Sequence, residues 1–230
     1  MRVDIITLFP EFFDGLKTHS IVGRAIANGK IELVTHNLRN YSTDKYKTVD
    51  DHPYGGGPGM VLRFDIVLRA LEDVISILKS QMTNSQIKTI LLTPQGQVYK
   101  QPLARQLAHE ENLILIAGHY EGFDERIREY VDLEISVGDY VLTGGEIPAM
   151  LVMDSLARLL PGVLGDDSSS GDESHSEGLL EYPQYTRPEE YEGKKVPAIL
   201  LEGNHPLIEK WRREQALQRT KQRRPDLLDD

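Results

Sequence analysis

The sequence predicts an α/β fold: a mostly parallel sheet flanked by helices, followed by a small, mainly helical C-terminal domain. Three observations carry that expectation. Short apolar runs at 3–8, 31–38, 87–92, 113–117 and 133–137 alternate with longer helical stretches, the pattern of a sheet built from crossover units. Those runs are apolar throughout, as in strands covered on both faces. Beyond residue 162 the composition changes first to an acidic tract and then to a basic, helical end.

The first run, Met1–Pro10, carries Asp4 inside its apolar stretch and has no small-residue cleavage site, so it reads as a strand and not as a signal peptide. Helical stretches are expected near 11–28, 64–82, 99–110, 123–130 and 146–160. Gln101-Pro102 opens the one near 99–110 with proline in its first turn. Pro161-Gly162 stops the last. Residues 1–162 therefore form one α/β domain. Residues 163–187 form an acidic linker, and 165–177 contain no apolar side chain to offset ordering entropy, so the tract is expected to be mobile in the free protein. It is either an inert connector or a lid that orders on substrate. In the domain 188–230, Asn204-His205-Pro206 caps a helix from 207 to 219. Ile208, Trp211, Gln215 and Leu217 suggest its buried stripe, and a domain of about forty residues is marginal alone.

The chain has 230 residues, 40% hydrophobic and 27% charged, as in an ordinary globular protein. No apolar run approaches the ~20 residues that span a bilayer. The absence of cysteine excludes disulfides, thiolate metal sites and a cysteine nucleophile, and points to the cytosol. A net charge of −10 argues against nucleic acid until its distribution is read. Residues 164–193 carry one basic side chain against nine acidic, whereas 194–224 carry nine against three. Such a basic cluster is either a phosphate-neutralising footprint or a solvated helix face.

Three glycine-bearing segments follow successive strands: Thr93–Gly96, Gly118–Gly122 and Ser136–Gly145. Ligands in open α/β sheets sit beyond the carboxyl ends of strands, so these loops are expected to converge. Neither Gly-x-Gly-x-x-Gly nor a P-loop is present. A fourth loop, Asp51–Met60, is glycine-rich and reads on its own as plain surface. Arg158 alone reads as a helix C-terminal charge favoured by the dipole. The histidines show no zinc-ligand spacing.

The order Gly-His-Tyr-Glu-Gly-Phe-Asp-Glu-Arg from Gly118 and Val-Gly-Asp-Tyr-Val-Leu-Thr-Gly-Gly-Glu from Val137 resembles the bacterial tRNA (guanine-N1-)-methyltransferases, members of the trefoil-knotted (SPOUT) superfamily. The likeness runs over nearly the whole chain. It implies a knotted pocket for S-adenosyl-L-methionine, with Gly118, Val137, Gly138, Asp139, Tyr140, Val141 and Leu142 as donor-binding residues and Pro94, Gly144 and Gly145 lining the same pocket. Sequence patterning itself shows no knot, and knots are rare. The resemblance places Asp50 and Glu121 near the target guanine, and a carboxylate there can accept from the ring N–H and amino group. Arg158 falls in the family's Arg-x-x-Pro-Gly-Val-Leu-Gly and becomes the arginine that stabilises charge on the 6-oxo group. Arg212, Arg213, Arg219 and Arg223 fall in the tRNA-binding helix and tail. Magnesium dependence and a homodimer, its pocket completed by the linker and C-terminal domain of the second subunit, are likewise implied.

The general base is where the chain departs from the family pattern Asp-Ser-Phe-x-x-Gly-Leu-Leu. Counting back from Gly178-Leu179-Leu180, the aspartate's position holds Glu173 and the phenylalanine's His175. Glu173 is read as the base, ahead of Asp172 one residue earlier, with His175 third. The implied activity is methylation of N1 of the guanosine immediately 3′ of the tRNA anticodon. The rival readings are a non-catalytic RNA-binding module with a nucleotide-sensing α/β domain, and a ribose 2′-O-methyltransferase of the same superfamily.

Overall fold

The computed structural model describes residues 1–81, 86–164, 174–175 and 178–228. They belong to two compact units, Met1–Gly165 and Asp166–Asp230.

In the first unit all five apolar runs are strands of one sheet: β1 (Arg2–Thr7), β2 (Glu32–Asn37), β5 (Ile87–Val98), β6 (Asn112–Ala117) and β7 (Leu133–Ser136). Their order is β2-β1-β6-β5-β7, and every neighbouring pair is parallel. Side chains of the central strands β1 and β6 are all buried and alternate between the two faces. Val3, Ile5, Leu113, Leu115 and Ile90 pack with Val152, Met153 and Leu156 on one side, while Ile6, Ile114, Ile116 and Leu91 pack with Ile66, Val67, Leu71 and Val74 on the other. This is why the strands read as continuous apolar runs. Asp4, the acid inside β1, is fully buried. The Arg2 guanidinium donates to it at 2.8 Å and the His36 ring stands 2.7 Å away. Burial is the largest influence on its carboxyl and pushes it up, but these hydrogen bonds and charges together hold it below its ordinary value.

Helices α3 (Phe64–Gln81), α4 (Gln101–Leu107) and α5 (Glu146–Ala157) lie within the expected stretches. The stretch 11–28 is not one helix. It divides into a 3-10 turn at Pro10–Phe13, α1 (Asp14–Thr18) and α2 (Ser20–Ala27), with extended backbone at His19. The Thr18 hydroxyl donates back to the Asp14 carbonyl, and α2 folds so tightly that a Cβ on Gly23 would stand 2.7 Å from the Thr18 carbonyl carbon. The stretch 123–130 is a 3-10 helix, Glu125–Tyr130. Two short pairings have too little periodicity to read beforehand: β3 (Asp50–Asp51) with β4 (Val61–Leu62), and β8 (Glu190–Tyr191) with β9 (Lys194–Lys195). Glu192 and Gly193 join the latter with φ 51° and 75°, as a two-residue hairpin turn of the primed kind requires.

The second unit is organised on α6 (His205–Arg223), longer than expected at its C-terminal end. The Asn204 side chain caps it by accepting from the Leu207 N–H at 3.5 Å. Its buried stripe is Ile208, Ala216 and Thr220, while Leu217 is 39% exposed. Leu217 follows Ala216 by one residue, so it lies about 100° around the helix from the stripe. Residues of the acidic segment pack on this helix: the Thr220 hydroxyl accepts from the Leu180 N–H at 2.9 Å, and Arg219 donates to the Glu181 carbonyl at 3.3 Å.

Candidate functional site

The three glycine-bearing segments meet in the first unit around a pocket of about 270 Å³. One of them is not a loop beyond a strand end. Thr93–Gly96 is an excursion inside β5, after which Gln97 and Val98 pair again with Ile135 and Ser136 of β7. A Cβ on Gly96 would sit 2.5 Å from the Glu134 carbonyl carbon, so only glycine lets the strand return this closely. The second and third segments are bonded to each other. The Gly145 N–H donates to the Gly118 carbonyl at 2.7 Å, and His119 and Gly144 form a bridge. A Cβ on Gly145 would approach the Gly118 nitrogen to 2.6 Å and the Ala117 Cα to 2.7 Å. Gly138 has φ 147°, closed to side chains, and the Ser136 hydroxyl donates to its carbonyl at 3.0 Å. The glycines thus let backbone form part of the pocket wall where a Cβ would not fit.

The fourth loop joins the same assembly through β4. The Leu62 N–H donates to the Gly122 carbonyl at 2.9 Å and the Glu121 N–H to the Met60 carbonyl at 3.0 Å. Asp50 pairs with Leu62 across the β3–β4 ladder. It therefore sits one strand away from Gly122 without lining the pocket.

Of the residues assigned to the donor, Pro94, Gly118, Val137, Gly138, Tyr140, Val141, Leu142, Gly144 and Gly145 line the pocket, as does Glu121. Asp139 is exposed and does not. Tyr140 and Val141 are 53% and 84% exposed, an apolar rim that a ligand or second chain can cover. Arg158 caps the C-terminal end of α5, whereas Gly145 caps its N-terminal end. Ten residues of α5, about 15 Å of helix, lie between Pro148 on the pocket wall and Arg158, which is not among the lining residues. Asp172 and Glu173 lie outside the described residues. The His175 N–H donates to the Leu179 carbonyl at 2.8 Å with φ 71°, closing a turn in the second unit.

Sequence reasoning missed His119 and Arg128 as lining residues. The His119 ring lies edge-on between Phe9 and Tyr120, with centroids at 5.1 and 5.0 Å, and its Nδ1 is buried without a hydrogen-bond partner. Arg128 donates to Glu134 and Gln95, bracing the 93–96 excursion. A lone arginine in a charged stretch carries no signal separating it from a solvated surface residue. Beneath the wall, Glu146 is 4% exposed and accepts from the Thr7 hydroxyl at 2.7 Å, tying α5 to the end of β1.

In the second unit the arginines differ. Arg213 and Arg223 are exposed, whereas Arg212 is half-buried with its guanidinium 4.7 Å from the Tyr182 ring centroid. Among the described residues no group of three or more His, Cys, Asp or Glu side chains could hold a metal ion. No helix among them is long and apolar enough to cross a membrane.

These features define a class: a parallel α/β domain with a pocket formed by glycine-bearing segments of neighbouring strands, followed by a small basic helical unit. Comparison with known proteins narrows it. The family model described as tRNA (Guanine-1)-methyltransferase TrmD matches residues 1–230, and the chain belongs to that family. Proteins called tRNA (guanine-N(1)-)-methyltransferase resemble it along their length. That of Ruminiclostridium cellulolyticum is 52% identical over 229 residues, covering 99% of this chain and 96% of the relative. That of Geobacillus kaustophilus is 52% identical over 231 residues, covering 100% and 92%. One from Clostridium perfringens is 51% identical over 229 residues, covering 100% and 94%.

Proposed function

We propose that this chain transfers the methyl group of S-adenosyl-L-methionine to N1 of the guanosine immediately 3′ of the tRNA anticodon, in the cytoplasm and as a homodimer. One observation supports this above the rest. In a chain matching the family end to end, every residue assigned to the donor except Asp139 lines a single pocket. The fit rests on the glycines. Side chains at 118, 138, 144 or 145 would fill or break the wall, as expected where backbone must approach a ligand closely. The three segments correspond to the knotted cradle of the family, and the boundaries 1–162, 163–187 and 188–230 to its domain, linker and tRNA-binding domain.

When bound, S-adenosylmethionine supplies an electrophilic methyl group on a sulfonium. Gly118, Gly144, Gly145 and the 137–142 segment hold and enclose it. Glu121, on the pocket wall, accepts from the guanine exocyclic amino group and orients the base, leaving the N1 proton to the general base. Glu173 takes the N1 proton, and Asp172 and His175 are the alternatives in that order. As the proton leaves, negative charge develops on N1 and the 6-oxo oxygen, where the Arg158 guanidinium stabilises it. The N1 pair would then bond the methyl carbon as the bond from that carbon to the sulfonium sulfur breaks and its electrons stay on sulfur, with S-adenosylhomocysteine leaving. Asp50, beside the Gly122 loop, is a substrate contact, and Arg212, Arg213, Arg219 and Arg223 contribute to the tRNA footprint. The described carboxylates form no cluster that fits magnesium by itself. A hard cation would take its remaining ligands from substrate and water, and no step depends on it here.

The place of Arg158 supports the dimer. About 15 Å of helix separates it from Pro148 on the pocket wall of its own chain, and we read it as serving the pocket of a second copy.

Incubation with labelled methyl donor and unmodified tRNA, then digestion, should yield 1-methylguanosine. A 2′-O-methylated nucleoside, or no transfer at all, would select one of the rival readings. Glu173→Ala should lower turnover by roughly two to four orders of magnitude with donor affinity nearly unchanged. Near-normal turnover in that variant, with loss in Asp172→Ala, would shift the register by one residue.

A further inference from the structure

The second unit contains a larger cavity, of about 1020 Å³, between the 182–189 segment and α6. Its wall brings together Tyr182, Tyr185 and Trp211 with Arg187 and Arg212. Arg212 is stacked on Tyr182 and makes no hydrogen bond or ion pair with a described residue; its Nε is buried without a partner. Arg187 also has no acceptor among the described residues. Glu189 lines the wall, so the cavity is aromatic with one net positive charge.

We propose that this cavity binds an unpaired nucleotide of the RNA substrate, its base stacked among Tyr182, Tyr185 and Trp211 and its phosphate on Arg187 and Arg212. The inference rests on the reading of the chain as a tRNA-modifying enzyme and adds a site to it. The chemistry selects this occupant. Aromatic rings and arginine planes together form the platform on which single-stranded bases stack. An apolar protein segment seated here would leave two guanidiniums desolvated without acceptors, a large penalty. A phosphate satisfies both and is recognised by the planar fork of arginine. The Glu189 carboxylate adds an acceptor for the amino group of a base.

Trp211 is the only tryptophan of the chain, so the cavity carries its own reporter. The intact protein is titrated with unmodified tRNA and, separately, with GMP, while Trp211 fluorescence is followed. Quenching by tRNA should have the midpoint of tRNA binding measured independently. Tyr185→Ala and Arg187→Gln, both at exposed positions, should each weaken tRNA binding by roughly 5- to 150-fold, the range for one stacked base or one phosphate contact. Donor affinity should stay unchanged. Tight tRNA binding and methylation without a change in Trp211 fluorescence would overturn the inference and leave the proposed function standing. Quenching by GMP that tRNA does not displace would assign the cavity to a free nucleotide and overturn it. Loss of the dimer on sedimentation, with tRNA affinity intact, would assign it to a protein interface and overturn it as well. If neither tRNA binding nor methylation is found, the proposed function itself falls.

Discussion

Two pockets among the described residues are built from different materials. In the first unit the wall includes backbone drawn together by glycines, on a sheet whose central strands are covered on both faces. In the second unit the wall is side chains, and among its described residues only Ile208, Ala216 and Thr220 are buried. The first unit can afford a fully buried aspartate because Arg2 and His36 compensate it, whereas the most buried polar group of the second is one threonine hydroxyl. A thick core holds backbone in geometries too close for any Cβ. A thin one presents aromatic and cationic side chains that remain free to adapt. The difference suits a small donor of fixed shape on one side and a large, deformable RNA on the other.

The largest effect should come from the frame under the first pocket. Asp4→Asn leaves the buried Arg2 guanidinium facing a neutral amide in the interior and should lower stability by about 3–5 kcal/mol in denaturant unfolding. The sign of the pH dependence follows from the lowered carboxyl. Its stabilisation is present above the ordinary aspartate value and is lost as pH falls through the depressed one, so the variant should lack that acid limb. An unchanged acid limb would remove Asp4 from the frame.

Next is the backbone wall itself. Gly145→Val places a side chain against the Gly118 nitrogen and the Ala117 Cα. It should weaken donor binding by roughly 100-fold, about 2.7 kcal/mol, in calorimetry on protein whose melting confirms folding. Wild-type affinity would show that the wall gives way. Co-expression of Gly145→Val with Arg158→Ala sharpens the same point. Heterodimers keep one intact pocket facing one intact arginine, so roughly a quarter of wild-type sites should return from two inactive chains. No recovery would place both residues in the same protomer's site.

A smaller effect is expected in the second unit. Thr220→Val leaves the Leu180 N–H without its acceptor and should cost about 1–3 kcal/mol. Faster hydrogen exchange at Leu180 would report it locally, and unchanged exchange would mean the segment is held by other contacts. Smallest of all, Val141→Ala trims an 84% exposed rim side chain and should change donor affinity by less than about tenfold. A hundredfold loss there would make the first pocket depend on side chains after all, and the contrast between the units would fail.

Much of this was legible in the chain alone. Strands buried on both faces must be apolar throughout, so β1, β2, β5, β6 and β7 announce themselves, and the motifs from Gly118 and Val137 point to the family. Local signals also place proline in the first turn of α4 and Asn204 at the cap of α6. The break at His19, the return of β5 after Gly96 and the bracing by Arg128 were not legible, because each depends on a chain segment distant in sequence or on a backbone contact that residue types do not encode. The stripe of α6 was half legible. Ile208 reads as core anywhere, but Ala216 and Thr220 displace Leu217 only because the 180–182 segment lies against that face. Periodicity and residue type therefore decided which elements form. Tertiary structure alone decided which of their side chains meet, since a pocket wall is a relation between segments and no single segment contains it.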